Sequence, residues 1–188
     1  MPRPIMAYCG RLAVEKNIDA FLNLKEPGTK LVIGDGPQRA ELASRHPEVK
    51  FVGYRHGSEL ANMVGSADVL VFPSLTDTFG LAMIEALACG VPVAAFPVPG
   101  PIDVIEQGVT GVLHEDLAVA VRSALKLDRS VCARYAASFT WEAATEQFVA
   151  GLEPIPQALR ATLAVRRSSV IIARILARMQ ASGTGDTS

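Results

Sequence analysis

The chain has 188 residues, of which 49% are hydrophobic and 20% are charged, and its formal net charge at pH 7 is −1. This length suits one ordinary domain with a sizeable core, and the composition is typical of a soluble globular protein and not of a disordered one. The near-neutral charge argues against nucleic acid as a partner, since nucleic-acid-binding proteins usually carry a strong basic excess.

Cysteine and hydropathy patterns narrow the class of protein further. The three cysteines, Cys9, Cys89 and Cys132, are far apart and lie among apolar residues. They predict reduced cysteines packed in a cytosolic protein, and neither a disulfide framework nor a metal cluster. The sequence shows no uninterrupted apolar run of the roughly 18–20 residues that a membrane span needs, and no evident signal peptide.

Apolar runs and helical spacings alternate along the first 150 residues. Strands are predicted at residues 5–9, 31–33, 49–52, 69–72, 92–96 and 111–114. Helices are predicted at residues 15–24, 38–45, 58–64, 81–89, 101–107, 117–127, 129–137 and 141–149. Pro37 suits the first turn of the second helix, and Ser58 can cap the third. The inward-facing residues of that third helix are expected to be Leu60, Ala61 and Val64.

This alternation predicts an α/β fold, a Rossmann-like parallel sheet with helices on both faces. Right-handed crossovers would bring the strand-to-helix loops to one edge of the sheet. The loops at residues 10–11, 34–36 and 77–80 should therefore converge, and the glycines among them would let the backbone approach a ligand closely.

Residues 68–100 contain two acids in otherwise apolar surroundings. Asp77 lies in the loop after a predicted strand, where capping of the next helix is its simplest role. Glu85 lies inside that helix among apolar neighbours, so we interpret it as a carboxylate away from solvent that needs a partner such as ligand hydroxyls. The alternative is an exposed glutamate at the flank of the helix. Free amides at residues 79–81 would favour a phosphate.

Two cations, Arg11 and Lys16, flank the start of the first predicted helix. They could reach one phosphate group, or they could be ordinary solvated surface charges. The three histidines, His46, His56 and His114, are scattered and lack the spacing of metal ligands. No Ser-His-Asp set or CxxC motif is present, so the sequence contains no self-contained catalytic machinery.

A joint pattern of short motifs now identifies a family. It consists of Gly10-Arg11-Leu12 with Glu15-Lys16, Gly34-Asp35-Gly36-Pro37, Phe51-Val52-Gly53, Ala67-Asp68-Val69, Pro73-Ser74 and a Glu-x7-Glu motif at residues 77–85. Over residues 5–150 the chain resembles the C-terminal, donor-binding domain of retaining glycosyltransferases of the GT-B fold, group 1 or family 4. Residues 76–80 and 97–101 are most similar to those of bacterial α-mannosyltransferase-like and glycolipid glycosyltransferase members.

The resemblance implies roles for individual residues. Arg11 and Lys16 would hold the diphosphate of a nucleotide-sugar, and Glu85 would accept hydrogen bonds from the ribose. Asp77 replaces the first glutamate of the motif, which contacts the donor sugar in the family; the shorter acid is a departure from that pattern. The remaining donor-binding residues would be Gly34, the backbone about Tyr54 and Arg55 beside the base, and Thr78, Phe79, Gly80 and Leu81 near the phosphates. No metal or cofactor is expected, because basic side chains and the helix N-terminus offset the charge of the leaving diphosphate.

The implied reaction moves a hexose from GDP-mannose or a UDP-sugar to a lipid or glycan acceptor. Family members have a second, N-terminal domain that binds the acceptor, and this chain begins almost at the first strand of the donor domain. We therefore expect an incomplete catalyst with an exposed apolar face for a missing or separate domain. The alternatives are a non-catalytic nucleotide-sugar binding module and, less favoured, the related phosphorylase or epimerase use of the same sheet.

The predicted organisation is a donor domain at residues 1–150, a basic amphipathic helical extension at 151–180 and a disordered tail at 181–188. Arginines beside an apolar stripe in residues 159–180 suggest attachment to an anionic membrane surface, slightly favoured over docking against the N-terminal domain. The expected location is cytoplasmic, with peripheral contact at the inner membrane face.

Overall fold

The computed structural model describes residues 1–77 and 79–152, apart from the side chains at positions 141 and 147. Two compact units divide the chain, Met1–Ala143 and Ala144–Ser188. The sheet and the two cavities described below lie in the first unit. The second is described only over residues 144–152, where the Leu152 N–H donates to the Val149 carbonyl at 3.1 Å. From residue 153 onward the predicted extension and tail lie outside the described residues, and the predicted domain boundaries stay a prediction.

Six parallel strands form one sheet in the order β3-β2-β1-β4-β5-β6. The strands are β1 Ile5–Cys9, β2 Thr29–Ile33, β3 Lys50–Gly53, β4 Val69–Phe72, β5 Val93–Ala95 and β6 Gly111–Leu113. The predicted Rossmann-like α/β architecture is therefore confirmed.

Both faces of the sheet are buried, which explains why its strands are continuous apolar runs. In β1, Ile5 and Ala7 pack into one core cluster while Met6 and Tyr8 pack into the other. Successive side chains of a strand point to opposite faces, so one apolar run supplies both cores. The helices that cover them are α1 Ile18–Leu22, α2 Arg39–Arg45, α3 Gly57–Gly65, α4 Leu81–Ala88, α5 Pro101–Val104, α6 Leu117–Ala124 and α7 Arg129–Ala136. Helix α8, Trp141–Ala150, crosses the boundary between the two units.

The predicted helix at residues 15–24 is divided in two. A 3-10 turn spans Val14–Lys16, and α1 starts only after Asn17, whose φ of 50° is left-handed. Asparagine tolerates this conformation better than most residues. Its side-chain amide donates to the Pro73 carbonyl at 3.0 Å and so ties the break to the end of β4.

The start of two other helices differs from the prediction. Helix α2 begins at Arg39, so Pro37 lies in the preceding turn and not in the first helical turn. Helix α3 begins at Gly57 and makes Ser58 its second residue, with no side-chain cap hydrogen bond. Ala61, expected to face inward, is exposed; Val64 is buried and Leu60 is half-buried. The apolar character of Ala61 did not predict which way its small side chain faces.

The predicted helix at residues 101–107 is a single turn, since Ile105 is already extended. Beyond it, Thr110 is buried and its hydroxyl accepts a hydrogen bond from the Glu106 N–H at 3.0 Å. The three cysteines are free, with Cys132 buried and the others half-buried. No helix among residues 1–77 and 79–152 is long and apolar enough to cross a membrane.

Backbone hydrogen bonds join the loops at the carboxyl edge of the sheet. The Gly10 N–H donates to the Ile33 carbonyl at 3.0 Å, and the Gly34 N–H donates to the Gly53 carbonyl at 2.9 Å. The Leu12 N–H likewise donates to the Asp35 carbonyl at 3.0 Å. The ends of β1, β2 and β3 therefore form one continuous wall.

Candidate functional site

Two adjoining cavities open at this edge and share Cys9, Gly10, Arg11 and Ala82 in their walls. The larger has a volume of about 790 Å³, within the usual range for a small-molecule site. It is bordered further by Gly34, Tyr54, Arg55, His56 and Glu85. The smaller, of about 190 Å³, is bordered by Tyr8, Lys16, Ser74, Asp77, Gly80 and Leu81. The predicted convergence of the three loops is confirmed.

Glycine is required where the first two loops touch. A Cβ at Gly34 would lie 1.9 Å from the Gly10 carbonyl oxygen, and one at Gly36 would lie 2.4 Å from the Leu12 carbonyl oxygen. Gly34 also has a φ of 140°, which side-chain-bearing residues rarely adopt. Close backbone packing, which only glycine permits, therefore builds the wall of the larger cavity.

Lys16 and Asp77, predicted to contact different parts of a ligand, form an ion pair with each other. Lys16 Nζ lies 2.6 Å from Asp77 Oδ2, and the two side chains are 29% and 17% exposed. The contact joins residues 61 positions apart and spans the smaller cavity's wall. The wall of the smaller cavity thus contains a cation and an acid in contact, and each can bind a ligand group in place of the other.

Arg11 differs from Lys16 because its side chain is exposed and makes no hydrogen bond or ion pair within the described residues. It borders both cavities. Its backbone is anchored, since the buried Tyr8 hydroxyl donates to the Arg11 carbonyl at 2.7 Å. A fixed backbone with a free guanidinium suits the binding of a mobile anionic group.

Glu85 is exposed, so the interpretation of it as a carboxylate away from solvent was wrong. Leu81, Glu85 and Ala88 lie on one uncovered face of α4, while Met83 and Leu87 are buried on the other. The helix is apolar on both sides, and its composition therefore did not reveal which side packs. Glu85 nevertheless borders the larger cavity, and it has no hydrogen bond or ion pair within the described part of the chain.

Buried groups beside the cavities remain neutral near pH 7. Burial, and secondarily the Glu85 carboxylate, raises the pKa of the Cys9 thiol to about 11. Burial is also the main reason that the pKa of Tyr8 is raised above its usual value, with Cys9 and then Asp77 adding to it. Cys9 is therefore a packing thiol and Tyr8 a neutral hydrogen-bond donor.

The loop after β3 forms the far side of the larger cavity. Tyr54 is 70% exposed, and its ring stacks on His56 with 6.1 Å between ring centroids. Arg55 donates to the Tyr54 carbonyl at 2.8 Å and pairs with Glu59, Nε to Oε1, at 2.8 Å. Sequence reasoning missed His56, although its place directly after Tyr54 and Arg55 was a usable signal.

The segment before α4 is only partly in the site. Gly80, with a φ of 76°, and Leu81 border the smaller cavity, where the first amides of α4 lie. Phe79 borders neither cavity; its ring packs edge-on to Phe139, with 6.5 Å between centroids. Thr78 lies outside the described residues. No group of three or more His, Cys, Asp or Glu side chains suited to a metal occurs among residues 1–77 and 79–152.

Replacing Tyr8 with Phe should lower the free energy of unfolding by about 1 kcal/mol, because the Arg11 carbonyl loses its donor while the ring stays packed. Urea denaturation measures this change. Tyr54→Phe, at an exposed tyrosine of the same edge, is the control and should change stability by less than about 0.5 kcal/mol. Equal stability of the two variants would show that the Tyr8 hydroxyl does not anchor the loop.

Comparison with known proteins decides the family. The family described as Glycosyl transferases group 1 matches residues 3–127, which is more than half of the chain. The chain belongs to the group 1 glycosyltransferases.

Two curated relatives illustrate the similarity of this group 1 glycosyltransferase chain. It is 42% identical over 113 residues to a GDP-mannose-dependent alpha-mannosyltransferase of Mycobacterium tuberculosis, covering 59% of the chain and 30% of that protein. It is 31% identical over 173 residues to a D-inositol 3-phosphate glycosyltransferase of Mycobacterium bovis, covering 78% of the chain and 36% of that protein. The chain thus spans about a third of the length of the curated relatives it matches.

Solved structures support the fold. The lipopolysaccharide outer core galactosyltransferase WaaB matches with a TM-score of 0.66 at 18% identity, over 79% of this chain and 48% of that one. Anabaena HepE in complex with UDP and glucose matches with a TM-score of 0.60 at 23% identity, over 78% of this chain and 47% of that one. At these identities the likeness concerns the fold, which is that of GT-B glycosyltransferases.

Proposed function

We propose that the chain is the donor-binding part of a retaining glycosyltransferase that takes a hexose from a nucleotide-diphosphate sugar. The observation that carries the proposal is the meeting of Arg11, the Lys16–Asp77 pair and Glu85 around two adjoining cavities at the carboxyl edge of a parallel sheet. Ligands of open α/β sheets bind at this edge. Two cations and two acids match a ligand with both phosphates and hydroxyls.

The geometry supports a division of the ligand between the cavities. The larger cavity would hold the nucleoside, with Glu85 accepting hydrogen bonds from the ribose and the loop at Tyr54 and Arg55 beside the base. The smaller would hold the diphosphate against Lys16, with Arg11 at the boundary of the two. The relative from Mycobacterium tuberculosis is named as GDP-mannose-dependent and HepE was crystallised with UDP, which makes guanine and uracil the first bases to test.

The chemistry proposed for these residues is electrostatic. As the bond between sugar and diphosphate breaks, negative charge grows on the leaving group. Arg11, Lys16 and the first amides of α4 would offset that charge, which is the task that a metal ion performs in other transferases. Asp77 would contact the sugar once its pairing with Lys16 is exchanged for ligand contacts.

The acceptor side would come from an N-terminal domain such as the longer family members have. Leu75, Phe79 and Leu81 are exposed apolar side chains in and beside the loop after β4. We propose that this part of the surface faces the second domain. We propose a lipid or a glycan as the acceptor. We also propose that the enzyme is cytoplasmic and contacts the anionic inner face of the membrane peripherally.

Replacing Glu85 with Ala should weaken nucleotide binding about tenfold or more, because a hydrogen bond to a charged group contributes roughly 1.5–3 kcal/mol. Calorimetric titration of the wild type and the variant with GDP, UDP and ADP measures the loss. Glu115→Ala, at an exposed acid that borders neither cavity, is the control and should bind as the wild type does. The proposed function fails if the wild type binds none of the three nucleotides. The assignment of Glu85 fails if its variant binds as tightly as the wild type.

A further inference from the structure

Ser74, just after β4, is a buried polar residue that has no role in the function proposed above. The residue is only 2% exposed, and its Oγ has no hydrogen-bond partner among the described residues. Leaving a buried hydroxyl unpaired is costly, which is why such groups almost always have a partner. The exception needs a reason, and its position at the smaller cavity suggests one.

The backbone beside Ser74 is held in place. The carbonyl of Pro73 accepts the side-chain amide of Asn17 at 3.0 Å, which ties this loop to the left-handed break before α1. Strand β4 itself is buried at all four of its residues. Because this backbone is fixed, it cannot easily shift to bring the hydroxyl to a hydrogen-bond partner. The hydroxyl is also shielded from bulk water.

The surroundings of Ser74 indicate the kind of group that would satisfy it. Lys16 and Arg11 border the same cavity, and so do Gly80 and Leu81 at the amide end of α4. These features favour an oxygen that carries negative charge, and the acid of the same cavity, Asp77, is paired with Lys16 at 2.6 Å. A serine hydroxyl can donate one hydrogen bond, and a phosphate oxygen is the strong acceptor that this cavity attracts.

We propose that the Ser74 hydroxyl donates a hydrogen bond to an oxygen of the donor's β-phosphate, the phosphate farther from the nucleoside, which makes Ser74 a ligand-binding residue. The inference rests on the proposed function, since it requires a nucleoside diphosphate in the two cavities. The contact distinguishes a nucleoside diphosphate from its monophosphate, which lacks the β-phosphate.

The test is Ser74→Ala in the full chain, titrated calorimetrically with the nucleoside diphosphate that the wild type binds best among GDP, UDP and ADP, and with its monophosphate. The dissociation constant for the diphosphate should rise about tenfold, while that for the monophosphate stays within about twofold. The melting temperature should not fall, because the substitution removes an unpaired buried hydroxyl. Ser66→Ala is the matched control, since the Ser66 hydroxyl donates to the Met63 carbonyl at 2.7 Å and borders neither cavity.

The other results each overturn the inference in a distinguishable way. If the wild type binds no nucleoside diphosphate, both the proposed function and the proposed Ser74 contact fail. If the wild type binds and Ser74→Ala binds equally well, the proposed function stands and the contact does not exist. Equal losses for the diphosphate and the monophosphate, or a lowered melting temperature, would assign Ser74 a structural role.

Discussion

Replacing Gly34 with Ala is expected to lower the free energy of unfolding by about 3 kcal/mol or more. The added Cβ would lie 1.9 Å from the Gly10 carbonyl oxygen, and the obstacle is backbone, not a flexible side chain. Overpacking of this kind costs roughly 1–3 kcal/mol, and an unfavourable φ costs roughly 1–2 kcal/mol more. Since small domains are stable by only about 5–15 kcal/mol, the loss would be a large part of the total.

The neighbours of Gly34 have little room to move. Its N–H donates to the Gly53 carbonyl at 2.9 Å, and the adjacent Ile33 carbonyl accepts the Gly10 N–H at 3.0 Å. Relief of the clash would therefore separate the ends of β1, β2 and β3. Because these ends form the wall of the larger cavity, nucleotide binding should be lost together with stability.

Gly108→Ala separates the two causes of the expected loss. Gly108 has a φ of 75°, yet a Cβ there would meet nothing within 4 Å. Its substitution should cost only the conformational part, about 1 kcal/mol. Urea denaturation of both variants measures the difference, and equal losses would show that steric contact with Gly10 is not what makes glycine necessary at position 34.

The fold was predictable because its signals are local. Strands β1 and β4 have the predicted bounds, since a short apolar run closed by Gly10 or by Pro73 has few other interpretations. Parallel connection and right-handed crossovers then determine which loops meet. At Asn17 a tertiary contact overrides the local preference, because its side-chain amide donates to the Pro73 carbonyl and divides a helix that looks continuous in the sequence.

The candidate site was predictable as a set of loops but not as a set of contacts. The motif placed Lys16 and Asp77 at one edge of the sheet, but nothing local indicates that the two charges meet at 2.6 Å. Glu85 was predicted to lie away from solvent and is exposed at the border of the larger cavity, because α4 is apolar on its exposed side as well. Ser74 was seen only as part of a motif, since an unsatisfied hydroxyl is a property of packing.

The Lys16–Asp77 pair leads to a prediction of two opposite effects on nucleoside diphosphate binding, and it too rests on the proposed function. Lys16→Met should weaken binding about tenfold or more, because it removes a cation that would contact the diphosphate and leaves Asp77 to repel it. Asp77→Asn should strengthen binding about threefold to tenfold. It removes the competing partner of Lys16 and a negative charge next to the phosphates, an effect of roughly 1 kcal/mol for partly screened charges.

Titration with GDP, UDP and ADP at low and moderate salt measures both effects, and the gain in Asp77→Asn should shrink as salt rises. The matched controls are Arg45→Met and Asp19→Asn, which make the same changes of charge in an exposed ion pair that borders neither cavity. Weaker binding in Asp77→Asn as well as in Lys16→Met would mean that the pair acts as one structural unit. Opposite signs would mean that Asp77 and the diphosphate compete for Lys16, so that the acid restrains the lysine until a ligand phosphate replaces it.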